Sequence, residues 1–74
     1  MKNATCIAVY RHPNAPDLDS GIITVGMGAG QFISLKVSVE EAETKLKELA
    51  RMFDEPITEE HNACFYRRYL VVLY

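Results

Sequence analysis

SVEEAETKLKELARMFD, residues 38–54, is the stretch that decides how this chain folds. Val39, Ala42, Leu46, Leu49 and Phe53 recur at steps of three or four, with Ala50 beside them, which lines them up on one narrow stripe of an α-helix. Ser38 followed three residues later by Glu41 has the form of a capping box, which marks the start. Glu40, Glu41 and Glu43 precede Lys45, Lys47 and Arg51, an order that complements the helix dipole. Glu41 with Lys45 and Glu43 with Lys47 stand at i, i+4 and read as solvated pairs, each contributing about 0.3 kcal/mol. Pro56 bars continuation of the helix.

Outward from the helix, the chain reads as strands. Residues 5–10 (TCIAVY) are rich in β-branched and aromatic side chains and end at Arg11-His12-Pro13. Residues 11–21 (RHPNAPDLDSG) gather Pro, Asn, Asp, Ser and Gly and read as a long loop with Leu18 its only sizeable apolar anchor. Ile23, Val25 and Met27 alternate along a second strand. After a glycine-punctuated turn, Ile33, Leu35 and Val37 alternate along a third. The run CFYRRYLVVLY, residues 64–74, reads as a last strand that is apolar on both alternating sets, Phe65, Tyr69, Val71 and Leu73 against Tyr66, Leu70, Val72 and Tyr74.

The plan expected is therefore a single α+β domain over residues 1–74, β-β-β-α-β, with a four-stranded mixed sheet of order 4-1-2-3 and one helix on one face. One helix covers one side of a sheet. Ile22, Phe32 and one aromatic set of the last strand are then left as an apolar patch, and patches beyond a few hundred Å2 mark contact surfaces. The alternative is that the 11–21 loop folds over that side through Leu18 and the prolines, leaving a monomer.

Composition narrows the classes. With 74 residues, 49% hydrophobic and 24% charged, the chain has the balance of a small globular domain, whose core supplies on the order of 3–5 kcal/mol without a partner or staple. A net charge of −2, with no basic run beyond Arg67-Arg68, argues against nucleic acid as a partner. No apolar run approaches the roughly 18 residues of a membrane span. Met1-Lys2-Asn3 leads into the first strand without the apolar segment of a secretory leader, so a cytoplasmic location is expected, with Cys6 and Cys64 as buried free thiols.

Candidate chemistry is sparse. Gly26-Met27-Gly28-Ala29-Gly30 follows a strand but has the wrong spacing for a dinucleotide fingerprint and opens onto an alternating segment, so it reads as a hairpin turn, with an anion nest as the functional alternative. His12 with Asp17 and Asp19 could form an acid–base pair, but nothing in the string holds the imidazole in place. Glu59, Glu60, His61 and Cys64 fall short of a closed zinc set. No catalytic, cofactor or metal residue is assigned, and a non-enzymatic role is favoured.

Arg67 and Arg68, flanked by Tyr66 and Tyr69, point to opposite sides of the last strand and suit a protein interface. The interaction surface expected is Phe32, Tyr66, Arg67, Arg68, Tyr69 and Tyr74. The function expected is a protein-interaction module, a homodimer that regulates or inhibits a larger protein or complex, compatible with a cellular, phage or mobile-element origin. The alternative is an oligomeric small-ligand or nucleotide-binding protein, with a pocket between subunits built from Arg11, His12 and the loop to Ser20 together with Gly26, Gly28 and Gly30.

Overall fold

The computed structural model describes residues 3–74, so the leader expectation drawn from Met1 and Lys2 lies outside the described residues. The elements are β1 (Ala4–Arg11), a 3-10 turn at Pro16–Leu18, β2 (Ser20–Gly28), β3 (Gln31–Val37), α1 (Val39–Phe53), β4 (Thr58–His61) and β5 (Tyr66–Leu73). They form one five-stranded sheet of order β3-β2-β1-β5-β4 with α1 on one face. The α+β class stands as expected. Strand number, order and polarity do not: the sheet has five strands rather than four, and every pairing is antiparallel rather than mixed.

The cause is β4. Thr58-Glu59-Glu60-His61 is an exposed, charged segment with no apolar alternation, so it carries no strand signal of its own. It pairs with β5 from Thr58↔Tyr69 to His61↔Tyr66, and the hairpin reverses the chain once more. β5 therefore enters beside β1 running against it, from Ala4↔Leu73 to Arg11↔Tyr66. Asn62 Oδ1 holds the connecting turn by accepting the N–H groups of Cys64 and Phe65 at 2.9 and 3.0 Å. Cys64 thus sits exposed in a turn, not buried at the start of a strand.

The helix begins and ends as its residues dictate. Ser38 Oγ accepts from the Glu41 N–H at 3.2 Å. At the other end Asp54 adopts a left-handed conformation (φ 53°), two residues before Pro56, and Glu55 N–H closes on Ala50 O. Ala42 and Leu46 are fully buried against Ile7, Val9, Leu70 and Val72, and Val39, Leu49, Ala50 and Ile57 pack around that core. The first turn of α1 lies directly over β2. A side-chain carbon at Gly21 would stand 2.5 Å from Ala42 Cβ and 3.0 Å from the Ser38 carbonyl, so only glycine lets the layers approach this closely.

α1 packs on β1, β2 and β5 and reaches β3 only at its Val37 end, leaving the rest of that strand unroofed. Ile33 and Leu35, which point to the helix side opposite Val25 and Ile23, are accordingly half exposed. The β2–β3 turn has positive φ at Gly28, Ala29 and Gly30, with a register shift between Gly26 and Gly28, as the glycine spacing predicts.

Candidate functional site

Cross-strand partners point to the same side of a sheet, so the registers sort the residues by face. The side without a helix is built from three rows. Ile22, Ala8 and Tyr69 lie side by side, then Thr24, Cys6 and Val71, then Gly26, Ala4 and Leu73, with Phe32 beyond Gly26. The small side chains of β1 make a shallow floor. Val71, Leu73 at 64% exposure and Phe32 at 70% rise around it into solvent. Leu18 does not close it: the 3-10 turn buries none of its residues, and Leu18 is itself 59% exposed. The half-buried Cys6 lies at the centre of this face, and burial pushes its thiol up from the ordinary value.

One margin of the face is polar and already paired. Tyr69 Oη donates to Glu60 Oε2 at 3.0 Å, and Arg67 lies 3.4 Å from Glu60 and over the Phe65 ring at 4.8 Å. The Glu60 carboxylate, by accepting this bond and by its charge, pushes the Tyr69 hydroxyl above its ordinary pKa of 10.0. What the bond contributes to folding is therefore present below about pH 10 and is lost as pH rises through the raised value.

On the helix side, Glu43 is a hub. Its carboxylate lies 3.4 Å from Arg11 and 3.3 Å from Arg68, while Arg68 also meets Glu59 at 3.4 Å and Arg11 meets Asp19 at 3.8 Å. The expected surface pair of Glu43 with Lys47 is thereby replaced: Glu43 ties the helix to the sheet edge instead. Because Arg68 and Glu43 are both about four-fifths buried, Glu43→Gln is expected to cost about 1–2 kcal/mol in urea unfolding, well above the few tenths typical of an exposed pair. A cost indistinguishable from that of Glu48→Gln would show the hub to be solvated.

At the sheet end near residues 11–20, a recess of about 470 Å3 is lined by Arg11, His12, Pro13, Pro16, Asp19, His61 and Tyr66. The His12 N–H donates to Asp19 Oδ1 at 2.7 Å, and the His12 and His61 rings lie 5.4 Å from Phe65 and 4.4 Å from Tyr66. Desolvation first, then the Glu59 carboxylate, pushes the Tyr66 hydroxyl up. The structure brings His12 and Asp19 together, but through the His12 backbone N–H rather than the imidazole ring. The cluster of Glu59, Glu60, His61 and Cys64 is split: Glu59 and His61 lie on the helix side of β4, Glu60 on the open face and Cys64 in the turn. Among the described residues, no group of three or more His, Cys, Asp or Glu side chains is placed to hold a metal ion.

The remaining expected site residues divide. Phe32, Arg67 and Tyr69 share the open face, whereas Tyr66, Arg68 and Tyr74 belong to the helix side, where Tyr74 stacks on Phe53 at 5.7 Å. Arg11 and His12 lie at one end of β2, and Gly26, Gly28 and Gly30 at the other, separated within one chain by most of a nine-residue strand, roughly 20–30 Å. Val71 and Leu73 belong to one of the two alternating sets that the sequence offers for the apolar patch, and the register with β1 selects that set; Cys6 joins the face without a sequence signal. Comparison of the chain with protein-family models, with curated proteins and with solved structures gave no match.

Proposed function

We propose that this chain is a non-enzymatic protein-interaction module whose open sheet face docks onto a larger protein, which it regulates or inhibits, and that it works as a homodimer. The observation that carries the reading is the apolar face left by a single helix: Phe32, Val71 and Leu73 stand in solvent around a floor of Ala4, Cys6 and Ala8. Such a surface, rimmed by Arg67, Tyr69 and Glu60, has the apolar centre and Arg- and Tyr-bearing border of a protein contact.

Cys6 provides the readout. In the isolated protein, Cys64 should be alkylated by iodoacetamide at least several-fold faster than Cys6, since Cys64 is exposed and Cys6 is half buried with a raised pKa. In native extract, partner binding should slow Cys6 further and leave Cys64 unchanged, as followed by mass spectrometry. Val71→Lys should abolish that protection, whereas Lys47→Glu, on the outer side of α1, should retain it. Protection that survives Val71→Lys places docking elsewhere.

The recess of Arg11, His12, His61 and Tyr66, which lies within one chain, supports a second reading, a small-ligand or nucleotide-binding protein. A thermal-shift screen with nucleotides and inorganic phosphate tests it, because a ligand of the native state raises the unfolding temperature. No shift at millimolar ligand eliminates it.

A further inference from the structure

The two edges of the sheet are built differently. β4 is four residues long, and its Glu59 and Glu60 are engaged by Arg68 and Arg67; two such edges brought together would oppose acidic side chains. β3 is seven residues long, QFISLKV, with no proline and a single charge at Lys36, and among the described residues no strand pairs with its outer edge. Three exposed large apolar side chains lie on it, Phe32 on the open face and Ile33 and Leu35 on the helix side. An edge of this length and composition, without the usual protective devices, is suited to accept another strand.

We propose that β3 is the seam at which a second copy of this chain adds, antiparallel and across a two-fold axis at Ser34. Ser34 is the middle residue of Gln31–Val37, so the register centred on it is the one that pairs the whole strand with its mate. That register sets Ile33 against Leu35 of the other copy, twice, on the helix side, and joins these four side chains into one apolar cluster over the part of the sheet that α1 leaves bare. On the open face it sets Phe32 against Lys36, so the aromatic ring meets the alkyl stem and ammonium of a cation and the two Lys36 charges stay apart. The alternation is self-complementary on both sides. Both helices fall on one side of a continuous ten-stranded sheet, and both open faces fall on the other.

This inference rests on the homodimer of the proposed function and supplies its geometry: the docking face for the larger protein is doubled, with Val71, Leu73 and Cys6 left uncovered and Phe32 flanked by Lys36 of the other copy. The pairing engages one strand edge, less than the roughly 800 Å2 per partner of a standard interface, so association in the micromolar range is expected.

The experiment is directed cross-linking in a Cys6→Ala, Cys64→Ser background, with sedimentation equilibrium of the unmodified chain beside it. With Ser34→Cys, most of the protein at 100 micromolar should oxidise to a covalent dimer under copper phenanthroline, because residues facing each other across an antiparallel axis lie about 4.5–5.5 Å apart. Val71→Cys should not cross-link, and Ile33→Lys, at a half-exposed site, should weaken dimerisation on the order of tenfold or more. If the unmodified chain sediments as a dimer while Ser34→Cys stays uncrosslinked, the seam is overturned and the interaction reading stands. If the unmodified chain is a monomer at 100 micromolar, the seam and the homodimer both fall, and docking of the open face is judged by Cys6 protection alone.

Discussion

Leu46→Ala is expected to lower the free energy of unfolding by about 3 kcal/mol and to leave a large share of the protein unfolded at room temperature. Leu46 is fully buried at the centre of the contact between α1 and the sheet, where it packs within the cluster of Ile7, Val9, Ala42, Leu70 and Val72. Removing a buried leucine costs the transfer energy of the lost carbons plus the cavity they leave, together about 2–5 kcal/mol. A core in a chain of this size provides on the order of 3–5 kcal/mol, so one truncation spends most of the margin. Urea unfolding followed by far-ultraviolet circular dichroism checks this. Leu49→Ala, at a site only partly buried on the same helix, should cost clearly less. A loss below about 1 kcal/mol for Leu46→Ala would mean that the helix is not seated on the sheet as described.

Gly21→Ala is expected to cost about 3 kcal/mol, although it adds a single carbon. Gly21 lies between Val9 and Val37 in the sheet, under the start of the helix, where the new carbon meets Ala42 Cβ at 2.5 Å and the Ser38 carbonyl at 3.0 Å. Neither neighbour is the free end of a flexible side chain, so the helix must lift or tilt. The partner change is informative. Ala42→Gly alone should cost about 1 kcal/mol through helix propensity, yet together with Gly21→Ala it removes one of the clashing carbons. The double variant should therefore be more stable than Gly21→Ala, a coupling that appears only when two sites touch. A double variant no more stable than Gly21→Ala would place the strain elsewhere.

The helix was legible because several local signals agree on it: a cap at Ser38, a stripe through Leu46, and charges ordered along the dipole. The first three strands were legible from alternation and the glycine turn. The error entered at Thr58–His61. A four-residue edge strand with two glutamates buries no side chain, so it leaves no periodic trace, and it is detected only through its pairing with β5. Missing one reversal flipped the direction of the last strand, and with it the polarity of the sheet, and hid the glutamates of β4 that Arg67 and Arg68 engage. The site suffered in the same way. The two alternating sets of residues 65–74 were visible, but deciding that Leu70 and Val72 face α1 while Val71 and Leu73 face solvent requires the register with β1. The separation of Arg11 from Gly28 follows from the length of β2 alone, a geometric count that the composition of the two loops obscured.

The placement of the last strand against the first has a kinetic meaning. The β1–β2–β3 meander and the β4–β5 hairpin are each assembled from neighbours along the chain, and each can zip quickly and reversibly on its own. Neither acquires the full core, because Ile7 and Val9 come from one and Leu70 and Val72 from the other. The productive encounter is a collision between two half-formed pieces, with α1 as the tether. The rate-limiting barrier therefore lies in a search dominated by long-range closure, and refolding should be slow for so short a polypeptide and insensitive to changes confined to the β2–β3 turn.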